Sequence, residues 1–185
     1  MSSRRNLLIL ALVFIGLLAL TLLQNQQLAL DAASPTPVPT GIYRRLFPQM
    51  AVLDIQAIRL ENPATDKTFT ISRASNGTWT APDSELALDT EAATMIAQTI
   101  VLLPYESSIT LTEDLDLAEY GFQSDPRLLI QVLLSNGNTH IVAVGDLTPS
   151  QAAFYALVDE QDAIYLLDGR AVSYLLTILE SPPLT

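Results

Sequence analysis

An uncharged run of 17 residues, Leu7–Leu23 (LLILALVFIGLLALTLL), follows Arg4, Arg5 and Asn6 and sets the topology expected of everything after it. In helical form it would be about 25 Å long, slightly short of a hydrocarbon core of roughly 30 Å. Asn6 and the polar Gln24–Gln27 cluster would supply the rest from the headgroup zones. The positive charges next to the run lie before it. The positive-inside rule therefore predicts a cytoplasmic N-terminus, a single transmembrane helix over about 7–23, and an extracytoplasmic, periplasmic-side remainder at the cell membrane. The competing reading is a cleaved signal peptide. Its apolar region would normally be 7–15 residues and end in a small-x-small site. Here the run is longer, and cleavage after Ala33 would place Asp31 at the −3 position. Gly16, with Ala11 and Ala19 nearby, marks a face where a helix of a partner subunit would pack closely.

Residues 31–40 (DAASPTPVPT) form a linker. Pro35, Pro37 and Pro39 disfavour helix and lack the N–H that a sheet needs. Polyproline II is expected, reaching roughly 30 Å when extended. Either it is a plain spacer or it lies in a groove on a partner. Residues 41–185 are then one domain, long enough to bury a core without staples. The chain has 9 basic and 20 acidic residues. Arg4, Arg5 and Asp31 precede the domain, which leaves it 7 and 19, a net of −12. That charge disfavours nucleic acid and anionic lipid alike, and points to standing off the bilayer or meeting a basic protein surface. With no Cys and one His, thiolate, iron–sulfur and multi-His metal chemistry are excluded. No cofactor is expected.

Within the domain the pattern predicts strands over Ile55–Glu61 and Thr68–Arg73, then an Asn76-Gly77 hairpin turn into Thr78–Thr80. Asp89 is placed to cap a helix over 90–103, with Ala93, Ile96, Ile100 and Leu103 as its buried stripe and Pro104 as its stop. A short strand near 107–111 and a helical turn over Asp116–Tyr120, closed by Gly121, come next. Leu128–Leu134 and Thr139–Val144 pair across Asn136-Gly137, and Ala153–Val158 pairs with Ala163–Leu167. Residues 171–179 form a closing helix, and SPPLT a frayed tail. The fold class expected is α+β: an N-terminal transmembrane helix, then a mainly antiparallel hairpin domain with two or three helices. The repeated Ser-Asn-Gly turns allow two similar halves, about 50–104 and 105–180.

Gly77-Thr78-Trp79, Leu88-Asp89, Ala118-Glu119-Tyr120-Gly121-Phe122, Pro126, Gly145-Asp146-Leu147-Thr148-Pro149 and Phe154-Tyr155-Ala156 occur in an order that resembles the bacterial domain-of-unknown-function 4340 family, from about Val52 to Leu179. Some members of that family occur with gliding-motility-type ABC transporter components as auxiliary, non-catalytic proteins. The resemblance implies an anchored extracytoplasmic accessory protein, and offers no catalytic residues to carry over.

The residues themselves show little chemistry. His140 lacks a recognisable nucleophile motif and reads as a surface or rim histidine. Residues 113–119 (EDLDLAE) are the densest acidic stretch, without the glycine and spaced ligands of a calcium loop. Asp114, Asp116 and Glu119 read as a solvated edge or as a docking surface for a basic partner, with Leu115 and Leu117 as buried anchors. Asp159 and Asp162 suit a hairpin turn better than glycosidase chemistry. Residues 145–151 (GDLTPSQ) lack a phosphate-binding Lys and read as a turn that places the next strand. Trp79 and Tyr120 read as core packing rather than a sugar platform. The expected function is a non-catalytic accessory subunit of a membrane complex, either a transporter or an electron-transfer assembly. Its partners would be integral membrane subunits, and the bilayer through residues 7–23. The alternatives are a free-standing envelope binding module for a solute or peptide, and an enzyme.

Overall fold

The computed structural model describes residues 44–185, apart from 124 and 160. The nine strands are β1 (Arg44–Arg45), β2 (Ile55–Asn62), β3 (Lys67–Arg73), β4 (Trp79–Thr80), β5 (Pro104–Thr110), β6 (Leu128–Leu134), β7 (Thr139–Leu147), β8 (Ala153–Val158) and β9 (Ala163–Asp168). They form one sheet, in the order β1-β5-β9-β8-β7-β6-β2-β3-β4, and every neighbouring pair is antiparallel. Two α-helices, α1 (Thr90–Leu102) and α2 (Gly169–Glu180), accompany it.

The local rules act where they were expected. Asp89 caps α1, its Oδ1 accepting from the Glu91 and Ala92 amides at 2.8 and 3.1 Å. The chain turns directly from Leu103 into β5 at Pro104, which has no amide to continue the helix. Asp168 caps α2 in the same way, through Arg170 and Ala171. The Asn-Gly turns join β3 to β4 and β6 to β7, with Gly77 and Gly137 both at positive φ.

Alternation assigns the faces. Leu128, Ile130 and Val132 of β6 pair with Val144, Val142 and His140 of β7. The five apolar ones join Ile58 and Leu60 of β2, Ala156 and Val158 of β8, and the buried stripes of α1 and α2 in one core. This is the helix-covered face. On the opposite face Ile164 is fully buried yet outside that core. The stretch 111–122 lies on this side, where Tyr120 meets Tyr155 edge to face at 4.9 Å.

Three expectations are corrected. First, the described residues form a single nine-stranded antiparallel sheet with two helices, in place of the α+β architecture expected. Among the described residues no helix is long and apolar enough to cross a membrane. With 13 and 12 residues, α1 and α2 fall well short of the roughly 20 that a span needs. The 7–23 stretch lies outside the described residues. The turns at Val52–Asp54 and Leu117–Tyr120 are single 3-10 turns. β2 pairs with β6, so strands from both expected halves are neighbours in one sheet. Second, the C-terminal tail is not frayed. Leu184 bridges Leu88, the Asp89 amide donates to the Pro183 carbonyl at 3.0 Å, and Ala87 and Thr185 exchange two bonds. Proline removes two donors from SPPLT but leaves those of Leu184 and Thr185 free to pair. Third, β7 continues through Gly145–Leu147, so the loop before β8 is shorter than expected.

Candidate functional site

The connection from β1 to β2 must travel from one side of the sheet toward the other. Residues 46–50 make the crossing on the helix-covered face, anchored where the Leu46 amide donates to the Leu103 carbonyl at 2.9 Å. Phe47 and Met50 are buried beneath it. Two adjoining clefts open along this crossing, and Leu46, Phe47, Pro48 and His140 line both. The first, about 500 Å³, is floored by Met50 and Leu134 with Asp54, Ser135 and Asn136 at its rim. The second, about 390 Å³, is walled by Tyr105, Val158 and Tyr165, with Asp159, Gln161 and Arg45 completing it.

His140 stands between the clefts. Its ring lies 5.1 Å from that of Phe47, tilted by 34°. Its Nδ1 is 3.7 Å from Asp159 Oδ2, an ion-pair distance but too long for a hydrogen bond. The other Asp159 oxygen accepts from the Ile141 amide at 2.7 Å and so fixes the carboxylate. The Tyr165 hydroxyl donates to Gln161 Oε1 at 3.2 Å, and the ring meets Tyr105 edge to face at 5.0 Å. Partial burial, and to a lesser degree Tyr105, raises the Tyr165 hydroxyl above its ordinary 10.0. Ser135, His140 and Asp159 are the residue types of a hydrolytic triad. No hydrogen bond joins Ser135 to His140, so the acyl-transfer relay is not assembled. Among the described residues no three His, Cys, Asp or Glu side chains are placed to hold a metal ion.

The residues expected as contacts distribute differently. Gly16, Pro35, Pro37 and Pro39 lie outside the described residues. Asp114, Asp116 and Glu119 are all exposed on the 111–122 stretch, and none of them lines either cleft. Asp116 is used locally, its Oδ1 accepting from the Ala118 amide at 2.9 Å to start the 3-10 turn. Leu117 is exposed rather than an anchor, and Leu115 is half-buried. His140 is the rim histidine expected. Trp79 is buried in the core beneath the Arg73 guanidinium, 4.6 Å away, while Tyr120 packs on the opposite face. Phe47, Met50 and Tyr105 were not singled out in the sequence. The Phe47-Pro48 pair, apolar and stiff just ahead of the first long strand, is the one local signal that could have found the crossing.

The open side of the sheet is a second candidate surface. Beyond the stretch 111–122, Leu133 and Ile141 stand 37% and 40% exposed as diagonal neighbours on β6 and β7, beside Leu129, Ala143 and Leu157.

Residues 96–181 match the family model described as a domain of unknown function (DUF4340), which supports membership of that family. The match runs from within α1 to just past α2, so Gly77-Thr78-Trp79 and Leu88-Asp89 lie outside it. No curated protein and no solved structure matches the chain.

Proposed function

We propose that this DUF4340 member is a non-catalytic accessory protein that docks on integral subunits of a membrane complex through the open face of its sheet. The observation that carries the reading is the apolar patch around Leu133 and Ile141. An antiparallel sheet faced by helices on one side ordinarily turns polar residues to water on the other. Here Leu133 and Ile141 stand exposed, with half-buried Leu129, Ala143 and Leu157 beside them and Thr139 and Gln131 as their cross-strand partners. A contiguous exposed apolar patch of this kind marks an interaction surface. The net charge of −11 keeps the chain off anionic lipid, which favours protein as the covering partner. The apolar stretch 7–23 supports a membrane location with the domain on the extracytoplasmic side. The complex would be a transporter or an electron-transfer assembly.

The test is to solubilise native membranes in mild detergent and capture this chain. Integral subunits should co-purify at fixed stoichiometry and be lost from Leu133→Lys/Ile141→Lys without loss of thermal stability. A lone monomer across several detergents and salt concentrations would sink the reading.

A further inference from the structure

We propose that the paired clefts beneath residues 46–50 form a binding site for an alkylammonium or guanidinium side chain, presented by an extended protein segment. The rings of Tyr105, Tyr165, Phe47 and His140 and the carboxylate of Asp159 line the second cleft together. Aromatic faces around one fixed anion are the chemistry that recognises an organic cation, because ring quadrupole and carboxylate attract the same charge. The T-shaped Tyr105–Tyr165 pair and the Phe47–His140 stack hold the rings in place before any ligand arrives. Asp159 is held by the Ile141 amide through one oxygen, and among the described residues its other oxygen has the long contact to His140. That leaves it acceptor capacity to offer. Arg45, exposed at the mouth, opposes a cation there, and its charge is partly screened by solvent.

The first cleft identifies the carrier. It continues from the cation end and is floored by Leu46, Met50 and Leu134. The two volumes together exceed what one small cation fills. An apolar side chain beside a basic one, on an extended backbone, matches both ends. The domain's excess of acidic residues favours such a basic segment at long range.

The experiment uses the purified protein and three capped dipeptides, acetyl-Leu-Lys, acetyl-Leu-norleucine and acetyl-Leu-Glu methylamides, with tetramethylammonium as the free cation. Binding is followed by amide chemical shifts. The Lys peptide should bind at least tenfold more tightly than the norleucine peptide, shifting residues of β7 and β8 near His140 and Asp159. Asp159→Asn, which keeps the acceptor for Ile141, should abolish that difference at unchanged melting temperature. Arg45→Gln should strengthen Lys binding, and Tyr165→Phe should preserve it where Tyr165→Leu does not. Equal affinity for Lys and norleucine, tighter binding of the Glu peptide, or shifts away from the clefts would each overturn the proposal. Tetramethylammonium binding as tightly as the Lys peptide would overturn the protein-segment carrier. Failure here leaves the docking reading intact, because the clefts and the Leu133–Ile141 patch lie on opposite faces of the sheet.

Discussion

Gly145 lies so close beneath the Tyr120 carbonyl that a Cβ built on it would sit 2.2 Å from that oxygen and 3.0 Å from the Phe122 ring. Gly121 returns the contact: it takes φ +84° to end the 3-10 turn, and its Cβ would stand 2.4 Å from the Asp146 amide nitrogen. Two of the motifs that carried the family resemblance are thus halves of one clasp. They press the stretch 111–122 onto β7 and β8, and their glycines serve backbone approach rather than chemistry. Gly145→Ala should cost about 1–3 kcal/mol, the usual range for overpacking against atoms that cannot move aside. Urea denaturation measures it. An unchanged midpoint would show that the clasp yields.

The C-terminal tail closes on the residues that lead into α1. Removing residues 182–185 takes away the partners of Ala87 and Asp89 and uncovers Leu88. The loss should be about 1–2 kcal/mol, from hydrogen bonds and lost apolar cover. In hydrogen exchange the Asp89 amide should lose its protection, while the amides of β6 keep theirs.

Asp168 is a buried cap, unlike the exposed Asp89. Replacing either by Ala removes acceptors from two helix amides, which typically costs 0.5–2 kcal/mol. The Asp168→Ala variant should fall near the upper end and Asp89→Ala near the lower, because water can replace the acceptor only at Asp89. Thermal melts of the two variants side by side decide it, and equal losses would contradict the burial argument.

Tyr165 and Tyr174 are both raised above their ordinary 10.0, chiefly by burial. For each, the unfolded chain gives up its proton at lower pH than the folded one. Their contribution is therefore complete below about pH 10 and is lost as pH rises through the folded values. The melting temperature should fall above pH 10, less steeply in Tyr174→Phe. A variant curve parallel to the parent's would assign the alkaline loss elsewhere.

Local rules made most elements legible. Asn-Gly turns, the Asp89 cap with Pro104 behind the helix, and the Gly121 stop each act within a few residues, and each appears where the sequence put it. The β2–β6 pairing did not show, because register across some seventy residues is set by which apolar faces meet in three dimensions. The pairing of SPPLT with Ala87 and Leu88 escaped notice for the same reason. The candidate site was the least readable part. Phe47, Tyr105 and the Asp159–Tyr165 hairpin come from three separate stretches, and Phe47 joins the others only because the chain crosses the sheet at residues 46–50. The rim position of His140 was anticipated, but nothing near it in sequence names its neighbours.

The pairing of β2 with β6 also has a consequence for synthesis. The hairpin of β2 and β3 leaves the ribosome first, yet the strand that completes its sheet follows roughly seventy residues later, and α2, which packs on both, comes near the end. High contact order of this kind slows folding. Until residue 134 has emerged, Ile58, Leu60, Phe69 and Ile71 present an apolar surface with an unpaired strand edge. The early hairpin is therefore the aggregation-prone part of a nascent or truncated chain, and the segment a holding chaperone would guard.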